Sequence, residues 1–152
     1  MAYKCHFRCP ECGGINRVPS TRLDAEPVCG RCRDPLDVTG APIELDDDQL
    51  DRLIEKSPVP ILVEFYTDWS RPSKLLAPTL ERVGKEYTGL VFVVRIDMEK
   101  HDRKSTLLDV TAVPTMVLFN HQRIVGKRKG ARSYDDLERL LERHVEKYGP
   151  SA

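Results

Sequence analysis

Four cysteines near the start of the chain are spaced for metal chemistry. Cys9-Pro10-Glu11-Cys12 and Cys29-Gly30-Arg31-Cys32 are two C-x2-C pairs with 16 residues between them. Each pair can put two sulfurs on one ion at a tight turn, and Gly13 and Gly30 supply the backbone freedom such turns need. Together the pairs close a tetrahedral shell of four thiolates around one zinc. With no coordination position left open, the site is structural. Two disulfides or four free thiols are the alternatives, and a cytoplasmic chain favours the metal. Cys5 fits the ligand spacing less well and reads as a spare thiol, with His6 as a surface residue. All five cysteines fall within the first 32 residues, which marks a local device and not a disulfide framework for the whole chain.

A second group surrounds Trp69-Ser70-Arg71-Pro72-Ser73. A helix should open in this stretch, so a side chain at position 70 meets the positive end of the helix dipole and its free N–H groups. Pro72 suits the first turn, where a missing N–H costs little. Neither serine hydroxyl ionises appreciably near neutrality. No Ser–His–Asp arrangement is visible to activate Ser70, since His101 and His144 fall on predicted helices and His121 in a turn. Glu64 is the charged residue on the otherwise apolar run Val59–Tyr66, and burial there raises a carboxyl pKa. Its alternative role is a buried structural ion pair.

The elements that would carry these groups follow from periodicity. Residues 1–38 are rich in Cys, Arg, Pro and Gly, lack a sustained apolar period, and should not build a hydrophobic core of their own; zinc binding can supply the missing folding free energy. The composition changes at Val38-Thr39-Gly40-Ala41-Pro42, which places a domain boundary between 38 and 39. Beyond it, Pro42–Leu45 reads as a strand, Asp46–Lys56 as a helix with three aspartates at its start, and Val59–Tyr66 as a central strand. A helix should run from Ser70–Ser73 to about Tyr87, kinked by Pro78. Leu90–Asp97 reads as a strand and Glu99–Asp109 as a helix. Thr115–Asn120 and Arg123–Lys129 read as paired antiparallel strands, and Ser133–Lys147 as an amphipathic helix opened by Ser133. This order predicts an α/β domain, a mixed central sheet with helices on both faces, over residues 39–152.

Bulk composition narrows the function classes. Twenty-four basic and 24 acidic side chains cancel, so no global field recruits nucleic acid or an anionic membrane. Residues 1–38 carry six basic and five acidic groups; zinc with four thiolates brings the head to a net charge near −1, the wrong sign for a phosphate-binding ribbon. Lys127, Arg128, Lys129 and Arg132 read as a solvated basic cluster. No apolar run is long enough for a membrane span, and the first six residues have no signal-peptide core. A cytoplasmic monomer is expected.

Several blocks in order resemble the thioredoxin family. Val63-Glu64-Phe65-Tyr66-Thr67-Asp68-Trp69 leads into Ser70-Arg71-Pro72-Ser73-Lys74 and then Ala77-Pro78. This is similar to the strand, Cys-Gly-Pro-Cys-type turn and proline-bearing helix of that family, with serine at both cysteine positions. Val113-Pro114-Thr115 is similar to the family's cis-proline loop, and Gly130 to its glycine after the last strand. The cysteine-rich head extends the resemblance to the zinc-ribbon-bearing members. The resemblance implies a thioredoxin fold preceded by a zinc ribbon, with position 70 the nucleophilic cysteine site and position 73 the resolving one. It makes Glu64 a buried proton acceptor, at a position usually held by aspartate, and Arg95 its charge partner. It makes Trp69, Arg71, Pro72, Val113, Pro114 and Gly130 the substrate-binding surface. Disulfide-containing client proteins and a thioredoxin reductase are the implied partners. The activity implied is protein-disulfide reduction in a parent form, with the Ser/Ser chain redox-inactive. Two histories suit the serines: replacement of both active cysteines in a working enzyme, or a natural redox-dead relative that binds peptides as a chaperone or scaffold. Intact Trp69, Pro72, Lys74 and Pro114 favour replacement.

Overall fold

The computed structural model describes residues 2–147; Met1 and residues 148–152, the ends of the two expected domains, lie outside the described residues. Five strands form the main sheet: β3 (Ile43–Glu44), β4 (Ile61–Tyr66), β5 (Phe92–Asp97), β6 (Thr115–Asn120) and β7 (Arg123–Lys129), in the order β3-β5-β4-β6-β7. The β3/β5 and β4/β5 pairs are parallel and the β4/β6 and β6/β7 pairs antiparallel, so the sheet is mixed as expected. β4 lies at the centre and every one of its residues is buried, which explains its unbroken apolar run. His121 and Gln122 both take positive φ and close the β6/β7 hairpin.

Helices α1 (Asp47–Lys56), α2 (Arg71–Glu86), α3 (Arg103–Leu107) and α4 (Tyr134–Glu142) cover the sheet. Leu62, Val93, Met116 and Leu118 meet Leu76, Leu80 and Val83 of α2 and Leu137, Leu140 and Leu141 of α4 on one face. Val63, Phe65, Val94, Ile96 and Phe119 meet Leu50 and Leu53 of α1 on the other. Alternation along β4 therefore sends Glu64 and Tyr66 toward the α2 face, with Leu62. Pro78 sits inside α2 and the helix continues through it.

Three expectations need correction. The helix expected over 99–109 is five residues long. Asp97 holds the preceding turn, its carbonyl accepting from Lys100 and His101 and its carboxylate from Glu99, and α3 starts only at Arg103. The free N–H groups of Arg103 and Lys104 donate to the Asp47 carboxylate of α1, so the aspartate run serves two helices: Asp46 caps α1 in a reciprocal box with Gln49, and Asp47 caps α3. The helix expected over 133–147 ends at Glu142. Its start agrees, with Ser133 Oγ accepting from Asp136 N–H.

The third correction concerns the head. The described residues of the head, 2–38, do assemble a small core. β1 (Lys4–Arg8) and β2 (Ile15–Pro19) form an antiparallel hairpin, and Cys5, Phe7, Val18 and Leu36 pack with the buried Cys9 and Cys29. Cys5 stands outside the four-sulfur cluster, as a spare thiol should, and its place is fully buried against Gly89, in the loop between α2 and β5. His6 is half-buried, and its backbone N–H donates to the Gly89 carbonyl at 2.8 Å. The chain leaving the head then crosses α2, where the Gly40 and Gly84 backbones touch.

Candidate functional site

The two groups of chemically capable residues sit in different places. The head contacts the Gly89 loop at the C-terminal end of α2, whereas Ser70 caps its N-terminus. Sixteen residues of helix separate those ends by about 24 Å.

In the head, Cys9, Cys12, Cys29 and Cys32 bring their four Sγ atoms within 4.8 Å of one another. The Cys9–Cys32 and Cys12–Cys29 sulfurs are 3.5 and 3.6 Å apart. A tetrahedral zinc with Zn–S bonds of about 2.3 Å requires edges of about 3.8 Å, whereas a disulfide requires about 2.05 Å. The donor set fits the metal. Two matching turns produce it. Cys9 accepts from Gly13 N–H and donates to the Gly14 carbonyl; Cys29 accepts from Arg33 N–H and donates to the Asp34 carbonyl. Gly13 and Arg33 occupy the same left-handed position, at φ 75° and 71°. Gly14 N–H points at Cys12 Sγ, while Arg31 N–H and the Asn16 amide point at Cys29 Sγ, each at 3.4 Å. Donors of this kind, first the backbone of Cys32 and then Asn16 and Arg31, hold the Cys29 thiol down to about 6, favouring the thiolate a metal needs. Asn16 also accepts from Gly30 N–H, tying the turns together. Sequence reasoning missed Asn16, whose signal was only its place between the pairs.

At the other end of α2, Ser70 is the N-cap and Arg71 and Pro72 open the helix. Ser70 Oγ accepts from Ser73 N–H at 3.3 Å, and Lys74 N–H donates to the Ser70 carbonyl. Both serines are buried, whereas Trp69 beside them is 71% exposed and Arg71 and Pro72 are exposed. The Val113–Pro114 peptide is cis. Because Phe65 pairs with Thr115, the Pro114 loop lies at the end of the sheet where β4 runs out toward Ser70, and Gly130 N–H donates to the Pro114 carbonyl at 2.7 Å. Val113 is half-buried. Among the described residues no histidine hydrogen-bonds to Ser70 or Ser73.

Glu64 is fully buried on β4, and Arg95 Nε donates to its Oε1 at 2.8 Å. Burial pushes this carboxyl up from its ordinary value, and the bond and charge of Arg95 offset only part of that. Arg95 Nη1 reaches Glu44 at 3.1 Å, its guanidinium stacks 3.8 Å over the Tyr66 ring, and Tyr66 Oη donates to Glu44 at 2.8 Å. Three buried polar atoms near this end of the sheet have no partner among the described residues: Glu64 Oε2, Thr67 Oγ1 and Ser73 Oγ. Uncompensated polar atoms cost stability and mark functional sites. Sequence reasoning missed Glu44, Tyr66 and Thr67.

Comparison with known proteins follows the same division. The Thioredoxin family model matches residues 41–143, and the family described as Thioredoxin 2, N-terminal matches residues 8–34. Thioredoxin C-3 of Corynebacterium nephridii is 33% identical over 138 residues, covering 91% of this chain and 94% of its own. A thioredoxin of Buchnera aphidicola (subspecies Acyrthosiphon pisum) is 31% identical over 103 residues, covering 68% and 95%. Among solved structures, a mutant thioredoxin from Halobacterium salinarum superposes with a TM-score of 0.65 at 25% identity, over 76% of this chain and 97% of that one. No helix among the described residues is long and apolar enough to cross a membrane.

Proposed function

The chain belongs to the thioredoxin family, and from that premise we propose that it is a protein-disulfide oxidoreductase scaffold whose two active sulfurs are replaced by serine oxygens. One observation carries the reading: the Ser70 side chain accepts the Ser73 N–H at the N-terminus of α2, where a sulfur would be held as thiolate. With cysteine at both positions, the thiolate at 70 attacks a client disulfide, forming a mixed disulfide and releasing one client thiolate. The thiol at 73 then passes its proton toward Glu64 and attacks the mixed disulfide. The second client thiolate leaves, and an internal disulfide remains for a thioredoxin reductase to reduce. Serine supplies neither the thiolate nor the second sulfur, so the chain as written is inactive.

What it keeps is a docking face for extended peptides of disulfide-containing clients, made by Trp69, Arg71, Pro72, Val113, the cis-Pro114 loop and Gly130. The exposed Trp69 favours a second reading, a natural redox-dead peptide-binding scaffold. Residues 1–38 act as a zinc ribbon and residues 39–152 as the thioredoxin domain. Cys9, Cys12, Cys29 and Cys32 would hold one zinc, which supplies folding free energy and no reaction step. Reduced thiolates of this kind suit a cytoplasmic setting.

The deciding experiment restores Ser70→Cys with Ser73→Cys and follows reduction of a protein disulfide coupled to a thioredoxin reductase. Turnover by the double variant and none by the chain as written is expected. A folded but inactive double variant would sink the disabled-enzyme reading in favour of the scaffold.

A further inference from the structure

Parallel pairing places Arg95 between two carboxylates, with Glu44 opposite it on β3 and Glu64 opposite it on β4. The three charges form one bridge: Glu64 Oε1 takes Nε at 2.8 Å and Glu44 Oε1 takes Nη1 at 3.1 Å. The guanidinium is fixed from a third side by the Tyr66 ring, and Tyr66 is itself fixed by its bond to Glu44. One cation thus serves two anions, and the surplus negative charge is removed most easily by protonating the member without water. Glu44 is 55% exposed and Glu64 fully buried, with Oε2 lacking any partner and open to a proton.

We propose that Glu44 is a positioning residue for Glu64: it anchors Arg95 and adds a like charge across it, keeping the Glu64 carboxyl a stronger proton acceptor than Arg95 alone would leave it. The proposal rests on the reading of Glu64 as the proton acceptor for position 73. Other charged and titratable groups around the bridge are Glu81 of α2, which lines a cleft with Glu44 and Arg95, and Asp46, Asp68, Asp97, Lys100 and His101, which line a second cleft with Glu44 and Tyr66; Asp97 is itself 4.0 Å from Lys100. β6 presents Met116 opposite Glu64 and no ionisable group there.

The test follows the Glu64 carboxyl by carbon-13 NMR in the Ser/Ser chain, with Glu64→Gln assigning the resonance. Glu44→Gln removes the charge and keeps one acceptor oxygen, whose two lone pairs can serve both Tyr66 and Arg95. Two carboxylates on one guanidinium lie on the order of 6 Å apart, so an effective dielectric between 80 and 20 predicts a fall in the Glu64 midpoint of about 0.5 to 2 pH units. A midpoint that is unchanged or rises in Glu44→Gln overturns the proposal. In the Ser70→Cys/Ser73→Cys background, the acidic limb of the pH–rate profile is expected to move down with it. Inactivity of that background would sink the redox reading alone, because the carboxyl titration still decides the role of Glu44.

Discussion

Replacing Gly89 with alanine tests whether the head is seated on the thioredoxin domain as described. Gly89 has φ +73°, a left-handed conformation that costs an L-residue about 1–2 kcal/mol. Its added Cβ would also overlap Cys5 Cβ and stand 2.8 Å from Cys5 Cα and 2.9 Å from Sγ. Relieving such overlap by shifting backbone costs about 1–3 kcal/mol more. The total is about 2–5 kcal/mol. Gly130 supplies the control: at φ +80° its Cβ would meet nothing within 4 Å, so Gly130→Ala should cost only the conformational part, about 1–2 kcal/mol. Urea unfolding of zinc-loaded protein, followed by circular dichroism and by the fluorescence of Trp69, gives both values. Cys5→Ala is not expected to rescue Gly89→Ala, because the overlapping Cα and Cβ atoms remain. Equal costs at positions 89 and 130 would refute the seating of Cys5 on Gly89.

Two further expectations concern the metal and pH. Metal analysis should find one zinc per chain, lost in Cys9→Ser or Cys29→Ser, and chelation should melt the β1/β2 hairpin amide resonances while those of β4–β6 persist; unchanged hairpin resonances after complete zinc removal would contradict a metal-dependent head. Because burial raises the Glu64 pKa in the fold, the native state binds the extra proton. The stabilisation from that group is therefore complete below the ordinary carboxylate range and is lost as pH rises through the raised value. Thermal unfolding of the Glu64→Gln variant from pH 4 to 8 should lack this decline, gaining on the parent as pH rises, and parallel curves would refute it.

Local chemistry made much of this legible. The apolar runs at 61–66 and 115–120, the aspartate-led start of α1 and the two C-x2-C pairs are written in adjacent residues. What sequence reasoning lost depends on distant partners. Cys5 and Phe7 alternate with polar residues in a strand whose buried side faces the head's other cysteines and a loop more than 80 residues away. Glu44 looks like a lone acid on a short strand until Arg95, 51 positions on, is brought beside it. The helix at 103–107 starts where it does partly because its first two amides are satisfied by Asp47 of another helix, a partner that no window around residue 103 contains.

The Ser73 N–H to Ser70 Oγ bond has a consequence for how this turn can change over time. A helix start prefers an oxygen acceptor, and serine is among the best N-caps. Exchange chemistry instead demands sulfur at that same atom. Selection for a durable fold and selection for turnover therefore pull position 70 in opposite directions, and the Ser/Ser chain occupies the durable side. Placing sulfur at position 70 means giving up part of the cap, so the trade-off between persistence and catalysis is concentrated in one side-chain atom.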